Sequence, residues 1–239
     1  QVIFNGDVAA LRNGLLGDAV RPAVGRKAPP RSLSAITWSI HAPTSGLALD
    51  RHNVFFTRDY ASEFTDIFQR GRLPQAPTVY VCAQDRGAGE PEPQGSERLL
   101  CLVNAPAAGD TDTLTPEAIE QCETTSFSLL RRCGLEITLS PSREPPAIRT
   151  TPVDFHRLFP ATGGALYGQA THGWTAAFSR PGASTPVAGL FLAGGSVHPG
   201  PGVPMAALSG LRAAEALMAS PGLTRWCPPV ATSGGTSTP

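Results

Sequence analysis

Apolar and polar positions alternate through much of the middle of the chain. In Ser34–Ile40, Ile36, Trp38 and Ile40 fall on one side and Thr37 and Ser39 on the other, the period-two pattern of a half-buried strand. Asn53–Thr57, Thr78–Ala83 and Arg98–Val103 predict further strands, the last two joined through the polar Asp85–Ser96 segment as a long hairpin. Leu135, Ile137 and Leu139 alternate as another. Gln1–Phe4 reads as a buried strand that stops at the turn signal Asn5–Gly6–Asp7.

Helical spacing takes over elsewhere. Tyr60, Phe64, Ile67 and Phe68 recur at i, i+4, i+7 and i+8, with Asp59 placed as N-cap. Pro116–Cys133 is punctuated at both ends: Thr115 caps it, Pro116 takes its first position, Arg131 and Arg132 fill its last turn and Gly134 follows. Shorter helices are predicted at Ala9–Leu16 and from Thr151 through Phe159, with loop at Val20–Arg31 and a Gly-rich turn at Gly163–Gly168. Near the end, the apolar run Leu190–Ala193 meets a Gly/Pro-rich turn, Gly194–Pro204, and then the small-residue helix Met205–Met218. That helix is expected to bury Met205, Leu208, Leu211 and Leu217, while Ala206, Ala207, Gly210, Ala213 and Ala214 let it lie close to a sheet. Residues 223–239 are polar and read as a disordered tail. The sum is a mixed sheet beside a nucleotide-binding layer rather than a simple doubly wound fold.

Composition narrows the function. With 239 residues, 41% hydrophobic and 16% charged, the chain is able to bury a sizeable core. Its 19 basic and 19 acidic side chains cancel, and its one lysine is Lys27, so phosphate-driven nucleic-acid binding is not expected. No apolar run is long enough to span a bilayer, and the opening QVIF lacks a secretory n-region and h-region. The five cysteines form no CxxC pair, which argues against zinc and against a disulfide framework. The histidines show no metal spacing.

The strand–turn–helix carries the candidate chemistry. Glycines at 194, 195, 200 and 202 bare the backbone, and the helix behind them adds the positive end of its dipole, a setting suited to a nucleotide cofactor. It is neither G-x-G-x-x-G nor a P-loop. The frame Gly194–Gly195–Ser196–Val197–His198 puts a histidine where a hydrolase nucleophile elbow needs glycine, which disfavours Ser196 as a nucleophile. Asp7, just after a strand, could touch a ribose hydroxyl or cap the following helix. Phe55, Phe56, Tyr60, Phe64 and Phe68 read as core rather than as a ligand channel; facing a cavity, they would favour a long apolar substrate.

Several segments together resemble one family. GLFLAGGSVHPGPGVPMAALSG is similar to the C-terminal flavin-binding motif of the carotenoid desaturases related to phytoene desaturase. FNGDVAAL, HNVFFTRDYASEFTDIF, PTVYVCAQDR, SERLLCLVNAPAAGD and TPVDFHRLFPATGGALYGQATHG match it in the family's order, from about Val2 to about Met218. GGALYGQATHG followed by WTAAFSRP resembles the 1-hydroxycarotenoid 3,4-desaturase branch.

The resemblance implies a mixed α/β (α+β) FAD/NAD(P)-binding flavoprotein fold with an inserted mixed-sheet substrate domain, lacking here the N-terminal dinucleotide-binding part. It implies residues 1–20 and 151–222 in the FAD-binding domain and 21–150 in the substrate domain. FAD is the implied cofactor and a long acyclic carotenoid the implied substrate, with peripheral contact to the inner membrane from the cytoplasmic side. Gly194, Gly195 and Ser196 would lie by the ribityl–pyrophosphate portion. Gly202, Val203, Pro204 and Met205 would lie near the isoalloxazine ring, and Asn5, Gly6 and Asp7 close to the cofactor. Leu166, Tyr167 and Gly168 would lie between substrate domain and flavin. On this view the chain is a C-terminal portion that would hold FAD poorly alone. Other flavin oxidoreductases of the superfamily, or a noncatalytic nucleotide-binding remnant, are the competing readings.

Overall fold

A computed structural model of the chain describes residues 1–87, 89, 93–139, 147–170 and 179–220. The chain divides into two compact units, residues 29–170 and residues 1–28 with 171–239.

The first unit is built on a curled, largely antiparallel sheet in a mixed α/β arrangement. Its strands are β2 (Ser34–Gly46), β3 (His52–Phe55), β4 (Val79–Ala83), β5 (Ser96–Ala105), β6 (Leu135–Ile137) and β7 (Ala147–Thr150). The spatial order is β3-β4-β5-β2-β6, with β7 also paired to β2. Register explains the core. Ile36 faces Val103, Trp38 faces Cys101 and Ile40 faces Leu99, while Val81 faces Cys101 and Ala83 faces Leu99. Because side chains alternate along a strand, these pairs share one face, and all seven of the residues on β2, β4 and β5 named here besides Cys101 are buried with it.

Helix α3 (Pro116–Arg132) covers that face through Ile119, Cys122, Leu129 and Leu130. Its Thr115 side chain accepts from the Ala118 N–H, as the capping signal predicts. Trp38 meets Phe127 edge-on at 5.5 Å, and its Nε1 donates to Glu123 Oε2 at 2.9 Å. Burial pushes the Cys101 thiol up to about 12 and the Cys122 thiol up to about 11, so both behave as packing groups.

A buried ion pair closes one end of the sheet. Arg86 donates from Nε and Nη2 to Glu97, both bonds at 2.8 Å, and Thr44 Oγ1 donates to the same carboxylate. The Arg86 hydrogen bonds hold the Glu97 carboxyl below its usual value against the opposing effect of burial. Helix α4 (Pro152–Leu158) starts at a Thr151 capping box with Asp154.

Helix α2 (Tyr60–Phe68), capped by Asp59 as expected, corrects one reading. Of the five aromatics expected in the core, Phe55 alone is buried. Phe56, Tyr60, Phe64 and Phe68 form an outward ladder with ring separations of 5.4, 5.0 and 6.5 Å. The inward face carries Glu63, Asp66 and Ile67 instead. Glu63 accepts from the Thr78 N–H and from Asn104 Nδ2, and Asp66 accepts from Arg70 and Arg72. Satisfied carboxylates fix the inward face, and the aromatic stripe is turned out as a result.

The second unit contains β1 (Val2–Phe4) and β8 (Leu190–Leu192), paired in parallel, with α1 (Val8–Arg12), a 3₁₀ turn at Asp18–Ala23, and α5 (Val203–Met218). Val8, Leu11, Ala23, Val24, Leu190, Leu192 and Val197 form its core. The strand at Val2–Phe4 is present, but Val2 and Ile3 are exposed rather than buried. The helix α5 stripe is reversed too. Ser209 and Ala213 are its buried residues, and Met205, Leu208 and Leu211 are exposed. Small side chains bring α5 close to β8, which leaves its long side chains on the far faces. The expected disordered tail, 223–239, lies outside the described residues.

Candidate functional site

Parallel pairing puts the carboxyl ends of β1 and β8 side by side. Phe4 pairs with Leu192, and the Ala193 N–H continues the ladder to the Phe4 carbonyl at 3.0 Å. Asn5–Gly6–Asp7 therefore leaves β1 next to where Gly194–Gly195–Ser196 leaves β8. Open α/β sheets bind ligands outside the carboxyl ends of their strands, because helix N-termini and loop N–H groups gather there.

The two turns are locked together. Gly194 sits at φ +110°, and a Cβ there would lie 3.2 Å from the Asn5 carbonyl oxygen. Only glycine meets both demands cheaply. Its N–H donates to Ser209 Oγ on α5 at 3.1 Å. Ser196 is buried, and its Oγ accepts from the Val8 N–H at 3.2 Å, so the hydroxyl serves to join the turn to α1. A serine held this way is not a displayed nucleophile. Asp7 caps α1, accepting from the Ala9 N–H through Oδ1 at 2.8 Å.

The N-terminus of α5 is open. Its N-cap is Gly202 at φ +106°, with no side-chain cap. Val203 and Pro204 are its first two residues, and Pro204 has no N–H to satisfy. The Val203 and Met205 N–H groups donate to no described residue, the first helical bond being Ala206 N–H to the Gly202 carbonyl. Val203 is 85% exposed and Met205 45%. Two free donors at the positive end of a 16-residue helix form a cradle for an electron-rich group.

Two contributors carry no signal in a single-sequence reading. Ser209 is fully buried on the small face of α5 and holds the turn from behind. Arg180, only 5% exposed, donates from Nη1 to the Gly195 carbonyl at 3.1 Å and lies against Gly200. Burial lowers the Arg180 value from the usual guanidinium range, with Asp7 opposing, but the group stays cationic beneath the turn. Leu166, Tyr167 and Gly168 belong to the other unit, where the Leu166 N–H donates to the Leu33 carbonyl and the Tyr167 N–H to Ser32 Oγ. No group of metal-ligating side chains gathers among the described residues.

The comparisons with known proteins agree on one family. Residues 58–218 match the model of the flavin containing amine oxidoreductases, and the chain belongs to that family. It is 57% identical over 242 residues to a hydroxyneurosporene desaturase of Rubrivivax gelatinosus, covering 100% of this chain and 45% of that protein. A hydroxyneurosporene desaturase of Cereibacter sphaeroides is 46% identical over 220 residues, 92% of this chain and 43% of that protein. A 1-hydroxycarotenoid 3,4-desaturase of a Flavobacterium species is 32% identical over 209 residues, 87% of this chain and 42% of that protein. The chain thus spans less than half the length of these curated relatives.

Proposed function

We propose that the chain is part of an FAD-dependent oxidoreductase that desaturates an acyclic carotenoid, forming the C3–C4 double bond of a 1-hydroxy or 1-methoxy carotenoid. One observation carries the reading. The carboxyl ends of β1 and β8 and the open N-terminus of α5 converge on bare backbone, in a chain 57% identical to a hydroxyneurosporene desaturase.

The residues fit a flavin. Gly194, Gly195 and Ser196 present backbone beside Asn5–Asp7, where the ribityl–pyrophosphate portion would run. Gly202, Val203, Pro204 and Met205 would meet the ring. When bound, a flavin supplies two-electron acceptance, the chemistry that takes a hydride from one saturated carbon as its neighbour gives up a proton. The chain's own share is positional and electrostatic. The free Val203 and Met205 N–H groups and the α5 dipole would stabilise negative charge held over them, and the Arg180 cation adds to that field. Asp7 spends one oxygen on α1 and is left to orient a neighbouring hydroxyl. Residues 29–170 would serve the apolar substrate, and residues 1–28 with 171–220 the cofactor.

A carotenoid resides in lipid. That substrate favours peripheral contact with the cytoplasmic face of the inner membrane; no helix among the described residues is long and apolar enough to cross a membrane. The test is direct. The intact gene product, supplied with FAD and a 1-hydroxy acyclic carotenoid in lipid, is expected to lengthen the chromophore and shift its absorption to the red. Conversion of the unhydroxylated carotenoid alone would move the assignment to another desaturase. Oxidation of amines without effect on either carotenoid would overturn it.

A further inference from the structure

Within residues 1–28, a pocket of about 620 Å³ is lined by Arg12, Asp18, Arg21, Pro22 and Arg26. Residues 12–27 hold four basic side chains, counting Lys27, and one acidic one, in a chain with no net charge. The arginines are poorly neutralised. Arg12 donates from Nε to the Gly25 carbonyl at 3.0 Å, and its terminal nitrogens bond to no described residue. Arg21 pairs with Asp18 at 3.1 Å, but both are exposed and such a pair contributes little. The Arg26 guanidinium donates to no described residue. Partial burial lowers the Arg12 value, with Asp7 opposing. The pocket therefore holds excess positive charge in fork geometry, the chemistry that suits a phosphate group.

The surroundings select the source of that phosphate. The guanidinium of Arg21 lies against Gly14, where a Cβ would come 2.8 Å from its Nε. The next two residues, Leu15 and Leu16, are 57% and 52% exposed. They project from a tight turn closed by Leu15 N–H to the Ala10 carbonyl and Gly17 N–H to the Gly14 carbonyl. Two exposed leucines beside a basic pocket suit an interface with apolar chains below and anionic headgroups above. A soluble phosphate has no use for the leucines.

We propose that Arg12, Arg21 and Arg26 form a headgroup pocket for anionic phospholipid, and that Leu15 and Leu16 insert beside it to dock the protein on the membrane. The proposal locates the peripheral contact proposed above and rests on that reading for its choice of lipid.

The experiment is co-sedimentation of the intact gene product with phosphatidylcholine vesicles, with and without phosphatidylglycerol. Binding is expected to require phosphatidylglycerol and to weaken with salt. Arg12→Gln/Arg26→Gln should reduce it about thirtyfold, at roughly 1 kcal/mol per basic residue. Arg12→Lys/Arg26→Lys, which keeps the charge but loses the fork, should fall between wild type and the Gln variant, and Leu15→Ser/Leu16→Ser should weaken it with charge unchanged. All four arginine and leucine sites are at least partly exposed, and unchanged circular dichroism would verify folding. Equal binding by wild type and both charge-removing and leucine variants overturns this location while leaving membrane association standing. Displacement by inorganic phosphate at constant ionic strength, with no effect of the leucine changes, overturns the lipid assignment. Absence of vesicle binding overturns both. Because neither flavin nor carotenoid enters the readout, loss of the desaturase reading would leave the result intact.

Discussion

In residues 29–170 the inward faces of β2, β4 and β5 meet α3, and Trp38, Val81, Cys101 and Leu130 are almost wholly buried. Two buried carboxylates there are also closed off: Glu97 is held by Arg86 and Thr44, and Glu63 by Thr78 and Asn104. In residues 1–28 and 179–220 the parallel pair β1/β8 leaves Val2 and Ile3 exposed, and α5 turns Met205, Leu208 and Leu211 outward. Parallel strands are ordinarily covered on both faces. The first region uses its polar groups to lock a sheet. The second leaves backbone donors open at Val203 and Met205, as the proposed flavin site would need.

Breaking the closed region should have the largest effect. Trp38→Ala removes a fully buried ring and its hydrogen bond to Glu123, and is expected to cost about 4 kcal/mol in urea unfolding. Flavin retained by the molecules that remain folded should be unaffected. Next, Glu97→Gln takes the buried charge out of the Arg86–Glu97 pair and should cost about 3 kcal/mol. The sign with pH follows from the lowered Glu97 value. Its contribution is complete above the ordinary glutamate value and is lost as pH falls through the lower folded value. The Gln variant should therefore show a shallower acid limb than wild type in stability plotted against pH.

The open region gives smaller stability effects with larger functional ones. Gly194→Val forces a β-branched residue to φ +110° against the Asn5 carbonyl, at a cost of about 2 kcal/mol, and should impair flavin retention. Ser209→Ala leaves the Gly194 N–H without its partner and should cost about 1 kcal/mol. Gly210→Ala, in open space on α5, should stabilise by roughly 0.5–1 kcal/mol and leave flavin content unchanged.

Much of the fold is legible in the sequence where local signals and packing agree. Thr115–Pro116, Thr151–Asp154 and Asp59 mark helix starts that the structure keeps, and the alternation of Ile36, Trp38 and Ile40 marks the buried face of β2. The errors occur where tertiary context decides a helix face. On α2, periodicity favours the aromatic side, but Glu63 and Asp66 find partners inside. On α5, hydrophobic spacing favours the leucines, but close approach to β8 requires Ser209 and Ala213. Within the site, the Gly/Pro-rich turn is visible in sequence. Arg180 and the hydroxyl of Ser209 are not, since a lone arginine and a lone serine carry no periodic or motif signal.

The central claim is that the Gly194–Pro204 turn, with the free donors of α5, cradles the flavin. The most direct measurement is the flavin absorbance of the intact gene product carrying Gly194→Val, set beside Gly210→Ala and wild type. The account predicts bound flavin in wild type and Gly210→Ala, and its loss from Gly194→Val under conditions where that variant remains folded by circular dichroism. Full flavin content in a folded Gly194→Val protein would contradict it.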